Sequence, residues 1–279
     1  MKFAKYWQKI EVPVDKTLFG RDHVQVWGAS NDNDESALDN ARTRASLFSG
    51  LFNKGFDRSA EYEYWMGYIR EEVIERIVAE DGRELAVITR NSYGALVLNT
   101  ETVMFGDIDL PESGFLDKIM ALLGKPQKDK TYFLKRIENY QQSHPELSIY
   151  VYETSAGLRF VVVNDIYAAE DKSVKTIFKA LNVDPLYMKL CKYQTCFRAR
   201  LTAKPWRVGM DRPETRFPRS NATDVSDFRS WLKRYNEACE NTSAVKLLKK
   251  FGVHHMHPDV LKVLDVHDHY ACNTAVELA

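Results

Sequence analysis

Asp107 and Asp109 stand one residue apart in Val103–Pro111, V-M-F-G-D-I-D-L-P. Side chains two apart on a strand project from the same face. An extended chain here sets both carboxylates side by side and directs Ile108 and Leu110 into a core. Carboxylates that close repel, and one is driven neutral unless a cation sits between them. Mg²⁺ and Mn²⁺ accept a cage of hard oxygens of this kind. The other reading of these letters is a strand that ends in a polar turn at Asp109-Leu110-Pro111.

Arg159, between Leu158 and Phe160, either reaches solvent or meets a partner, and a guanidinium clamps a phosphate bidentately. The turn before it, Ser155-Ala156-Gly157, offers backbone N–H groups to an anion. Further on, Lys189–Arg219 holds nine cations (Lys189, Lys192, Arg198, Arg200, Lys204, Arg207, Arg212, Arg216, Arg219) against Asp211 and Glu214, a net +7 in a chain of zero net charge. Trp206 and Phe217 are interleaved, which suits base stacking beside phosphate contact; a solvated strand face followed by a loop is the alternative. Five of the seven histidines, His254, His255, His257, His267 and His269, lie within sixteen residues, with Asp268 and Cys272 near them. They could supply zinc ligands, although the spacing matches no zinc motif.

The elements that must position these groups follow from periodicity. Val103–Leu110, Leu147–Glu153, Leu158–Val163 and Cys196–Thr202 read as strands, the middle two as a hairpin. Tyr132–Ser143 and Lys172–Leu181 read as helices, with Leu186–Cys191 helical again. The order is β-α-β-β-α-β, the ferredoxin-like or RRM-like unit, and the Cys196–Thr202 strand is expected in the same sheet as the D-x-D pair. Before it, strands over Phe3–Val14, His23–Gly28, Leu85–Thr89 and Leu96–Asn99 and helices over Ser36–Phe52 and Trp65–Glu80 make a mixed module. After it come a Pro- and Arg-rich loop, a helix over Asp224–Ala238, and Ala244–Phe251 and Asp259–Val266 as short helices or a helix-strand pair. The fold class is α+β: an N-terminal α/β module (1–100), an RRM-like unit (101–210), and a basic loop with a small helical C-terminal segment (211–279).

The chain has 279 residues, 44% hydrophobic and 28% charged, ordinary values for a globular protein. Zero net charge leaves only a local patch to recruit a nucleic acid. No apolar run is long enough to span a bilayer, so no membrane partner is expected. No signal-peptide apolar region opens the chain, and the four scattered cysteines read as reduced. Both features point to the cytoplasm.

G-D-I-D-L on one strand, followed about fifty residues on by T-S-A-G-L-R-F, resembles the archaeo-eukaryotic primase (primase-polymerase) superfamily. The resemblance covers roughly residues 85–210. It implies nucleotidyl transfer from a nucleoside triphosphate on a DNA or RNA template, as in DNA replication. Asp107 and Asp109 would then hold Mg²⁺ or Mn²⁺, and Arg159 would stand where the family's histidine contacts phosphates. That is a departure, since arginine does not titrate near neutrality. Arg198, Arg200, Lys204 and Arg207, with Ser155 and Gly157, would meet nucleotide or phosphate. The family's third carboxylate has three candidates here: Asp211, Asp265 and Asp268. Two other readings stand beside this one: a non-catalytic nucleic-acid-binding replication accessory protein, and a metal-dependent phosphodiesterase or nuclease that uses the C-terminal histidines.

Overall fold

The structure, a computed structural model, describes residues 1–52, 68–111, 128–219, 221–252, 255–273 and 276–279. It is mixed α+β, and its packing divides the chain into Met1–Glu71 and Glu72–Ala279. The expected boundaries at 100 and 210 both fall inside the second unit. Among the described residues no helix is long and apolar enough to cross a membrane.

In the first unit the chain runs β1 (Tyr6–Pro13), α1 (Lys16–Phe19), β2 (His23–Ser30) and α2 (Asp34–Phe52). The two strands pair antiparallel. α2 lies close on β2 because Gly28 has no side chain: a Cβ there would sit 2.0 Å from the Ala37 carbonyl oxygen. Ala37 and Ala41, both buried, complete the approach.

The second unit runs β3 (Glu72–Val78), β4 (Glu84–Arg90), β5 (Leu96–Thr100), β6 (Phe105–Asp109), α3 (Lys130–Ser143), β7 (Ile149–Thr154), β8 (Gly157–Val162), α4 (Lys172–Leu181), α5 (Pro185–Gln194), β9 (Phe197–Arg200), a 3₁₀ turn (Pro205–Arg207), α6 (Ala222–Cys239), β10 (Thr242–Ser243), β11 (Val245–Phe251), α7 (Pro258–Ala271) and β12 (Glu277–Leu278). Two four-stranded sheets form, in the orders β3-β4-β5-β9 and β11-β7-β8-β6, and β10 pairs with β12. Neighbours in the two larger sheets are antiparallel. One apolar core serves both sheets, joining Ile88 and Leu98 to Phe105, Phe160 and Val162. α3 adds Phe133 and Ile137 to it, and α4 adds Val174, Ile177, Phe178 and Leu181.

Two expectations are corrected. The helix expected over Trp65–Glu80 is the strand β3 from Glu72 onward; residues 65–67 lie outside the described residues. Ile69, Val73 and Ile77 satisfy a helical period, but the run is rich in β-branched residues, which favour a pleated surface, and β4 supplies a ladder. Val73, Ile74 and Val78 stay exposed at this sheet edge, and Ile77 is buried. The second correction concerns β9. It pairs with β5, not with a strand of the D-x-D sheet. Its alternation is as expected: Phe197, Ala199 and Leu201 are buried and Arg198 and Arg200 face the other way.

A tyrosine explains why β9 approaches β6 without joining it. The Tyr187 hydroxyl, carried in by α5, lies 2.9 Å from the Phe105 carbonyl on β6 and 3.0 Å from the Arg198 carbonyl on β9. It also accepts from the Arg198 N–H at 3.2 Å. The hydroxyl thus accepts from β9 and donates its one proton to the Phe105 or the Arg198 carbonyl, so a side chain serves backbone groups between the two strands.

Candidate functional site

β6 sets Asp107 and Asp109 on one face, as the spacing requires: Ile108 is buried and Asp109 is exposed. β8 lies beside β6 in a register that places Arg159 opposite Asp107 and Gly157 opposite Asp109. The approach depends on Gly157, where a Cβ would stand 2.0 Å from the Ile108 carbonyl oxygen. Gly157 is therefore required by strand packing.

Arg159 is nearly inaccessible, at 2% exposure, so it does not reach a phosphate in solvent. Its Nε donates to Asp107 Oδ1 at 2.8 Å and its Nη2 to Asp107 Oδ2 at 3.3 Å. Nη1 donates to the Arg200 carbonyl at 2.9 Å and faces His267 Nε2 at 3.3 Å. Burial opposes the guanidinium charge, but Asp107 outweighs that and holds its pKa above the ordinary value. The residue expected to clamp a ligand is instead the internal partner of the residue expected to hold a metal.

The pair extends inward. Arginine has no acceptor, so His267 Nε2 must accept, and the ring's proton sits on Nδ1, 2.8 Å from Asp268 Oδ1. Tyr152 donates to the other Asp268 oxygen at 3.1 Å. Burial, then the nearby Arg159 charge, push the His267 pKa down, although the Asp268 bond acts against them. Asp107, Arg159, His267, Asp268 and Tyr152 form one continuous network through β6, β8, α7 and β7.

Among the described residues the other C-terminal histidines do not gather. His257 caps α7, its Nδ1 accepting from the Asp259 N–H at 3.2 Å. His255 is exposed, His269 packs edge-on against Tyr270, and His254 lies outside the described residues. Among the described residues, no three His, Cys, Asp or Glu side chains are grouped to hold a metal ion.

Two clusters of like charge meet at the outer end of β6. Asp109 is pushed above the ordinary carboxylate range by burial, then by Asp184 and Asp107, with Lys204 and Arg207 acting against the shift. Lys204 is pushed down by burial, then by Arg200 and Arg207. Arg200 is likewise pushed down by burial and by Arg159. Arg207 bonds the Ser155 hydroxyl of the β7–β8 turn. Ser155, Asp109, Lys204 and Arg207 therefore lie near one another, whereas Arg198 turns to Gln194 Oε1 at 3.0 Å.

Of the candidates for a third carboxylate, Asp268 belongs to the inner network, and Asp211 and Asp265 are exposed. Asp184 went unrecognised in the sequence. Asp-Pro reads as a helix start, and Asp184 does cap α5, its oxygens accepting from the Leu186 and Tyr187 N–H groups at 3.1 Å each. Its own N–H donates to the Asp107 carbonyl at 3.0 Å, which ties the cap to β6.

The fit to divalent metal is poor as the side chains stand. Both Asp107 oxygens accept from a guanidinium, and both Asp184 oxygens accept from backbone amides. Asp109 projects toward solvent, with its charge opposed by burial and by its neighbours. Comparison with protein-family models, curated proteins and solved structures gives no match.

Proposed function

We propose that this chain binds a phosphate-rich polymer or nucleotide, a single-stranded nucleic acid foremost, on the surface formed by Lys204, Arg207 and the Ser155 turn, and that the binding needs no metal. The carrying observation is the crowding of Arg200, Lys204 and Arg207, whose charges oppose one another at a half-buried position. A phosphate relieves that repulsion and releases counterions. Trp206, 46% exposed, adds an aromatic surface beside the cations. The consecutive strands β6, β7 and β8, ordered β7-β8-β6 with α3 between the first two, support an RRM-like reading of this part of the fold. The test is oligonucleotide affinity in wild type and in a Lys204→Gln/Arg207→Gln variant. Weakened binding and a shallower salt dependence are expected; equal affinity and slope would overturn the proposal.

Metal-dependent nucleotidyl transfer is the second reading, favoured by Asp109. Its carboxylate is raised by burial and by two neighbouring carboxylates, and lies beside cations suited to a polyphosphate. A divalent ion would relieve that repulsion. Mn²⁺ titration in the presence of a nucleoside triphosphate separates the readings: metal-dependent nucleotide binding lost in Asp109→Asn favours transfer.

A further inference from the structure

An open hollow of about 640 Å³ beside the cationic surface is lined by Trp206, Met210, Asp211 and Arg212. Its walls are fixed from behind. The Trp231 indole N–H donates to the Asp211 carbonyl at 2.9 Å. Met210 packs on the cluster of Phe228, Trp231 and Tyr235, and its N–H donates to the Pro205 carbonyl at 3.0 Å. Trp231 in turn is stacked on Tyr235, with ring centroids 4.9 Å apart. Tyr93 meets the Trp206 ring edge-on at 5.4 Å. Trp206 is thus held in place by Tyr93 and its own turn, yet it leaves nearly half its surface in water.

Charge surrounds that ring. The Arg212 guanidinium carbon lies 4.8 Å from its centroid and the Lys204 ammonium 5.5 Å. Nucleic-acid bases stack on aromatic rings and on guanidinium planes alike. Lys204 is also a member of the proposed phosphate surface, so one side chain links the ring to the cations. A ring that offers stacking, a thioether wall, an acidic rim and a neighbouring ammonium match the parts of one nucleotide: a flat base, an edge carrying N–H donors, and a phosphate.

We infer that the hollow takes a single unstacked nucleobase, with its phosphate on Lys204 and Arg207 and its N–H edge toward Asp211. This rests on the phosphate-binding reading above and adds base recognition to it. A guanine edge presents two adjacent N–H donors to one carboxylate, whereas adenine and cytosine present a donor beside an acceptor. The hollow is accordingly expected to prefer guanine.

The test uses the full chain with GMP, AMP and ribose 5-phosphate as probes. Affinity is followed by calorimetry and by tryptophan fluorescence in wild type, Trp206→Leu, Asp211→Asn and Lys204→Gln/Arg207→Gln, each first checked for native circular dichroism. GMP is expected to quench wild-type fluorescence and to bind more tightly than ribose 5-phosphate. Trp206→Leu should weaken GMP binding by about tenfold, the scale of one base stack, and abolish the quenching while leaving ribose 5-phosphate affinity unchanged. Asp211→Asn should narrow the gap between GMP and AMP. If GMP and ribose 5-phosphate bind equally in wild type, and Trp206→Leu changes neither, the base hollow is overturned and the phosphate surface stands. If no probe binds the folded wild type, both fall.

Discussion

Asp107 and Arg159 face one another across β6 and β8 and hold each other through two hydrogen bonds, at 2.8 and 3.3 Å, with the guanidinium fully enclosed. The pair is an internal support of the D-x-D strand, and Asp109 is left as its outward member. Asp107→Asn strips a buried guanidinium of its counter-charge. Removing one partner of a buried pair costs about 3–5 kcal/mol, and urea unfolding should register a loss of that order. Asp109→Asn should stay within about 0.5 kcal/mol of wild type at neutral pH. Equal losses at the two positions would contradict the division of roles.

Tyr187 supports the seam between the sheets. Phenylalanine there removes the hydroxyl that accepts from the Arg198 N–H and donates to the Phe105 or the Arg198 carbonyl. Unsatisfied buried groups cost about 1–3 kcal/mol. Tyr187→Phe should lower stability by that amount in equilibrium unfolding and speed hydrogen exchange at Arg198 more than in α6. Wild-type stability in this variant would remove the hydroxyl from the account of why β9 stays apart.

His267 gives stability a pH dependence. Its folded pKa lies below the ordinary histidine value because the ring is buried beside Arg159. The unfolded chain therefore takes up the proton first. The contribution of the neutral ring is fully present above the ordinary value of about 6.5 and declines as pH falls from there toward the folded value. Unfolding free energy should fall more steeply with acidification in wild type than in His267→Gln, which does not titrate. Parallel slopes below pH about 6.5 would show that His267 is not the group responsible.

Much of this arrangement was readable from residue types. The alternation of Phe105-Gly106-Asp107-Ile108-Asp109 gives both the strand and the shared carboxylate face, and the Thr154–Gly157 turn gives the hairpin. Phe197–Leu201 gives its own two faces but not its neighbour, because alternation marks which side chains are inward and says nothing of which strand lies alongside. Arg159 carried a local sign, an arginine between Leu158 and Phe160 on a strand buried throughout. Its partner His267 lies more than a hundred residues away, and its acceptor on Arg200 is a backbone carbonyl that no side-chain pattern announces. Tyr187 and Asp184 were hidden for a related reason: in a helix that begins Asp-Pro-Leu-Tyr they read as a cap and a core residue, and each is also tied to β6. For β3, β-branched composition and a waiting partner strand decided against a helical period of equal apparent quality.

Salt dependence measures the cations one at a time. Each Lys or Arg that contacts a phosphate of a single strand contributes about 0.7 to the slope of log affinity against log salt. Lys204→Gln and Arg207→Gln should each reduce the slope by about that amount. Lys262→Gln, on the exposed face of α7, should leave it unchanged. A uniform reduction by all three would mean that the chain is held by diffuse charge and not by this surface.

The most direct measurement is the anisotropy of a labelled single-stranded oligonucleotide titrated with wild-type protein at low salt, once in EDTA and once in Mn²⁺. Binding of equal strength in both, retained by Asp109→Asn, is the outcome expected of a metal-independent phosphate surface. Binding that appears only with Mn²⁺ and disappears in Asp109→Asn would contradict it, and would return Asp109 to the centre of a metal site.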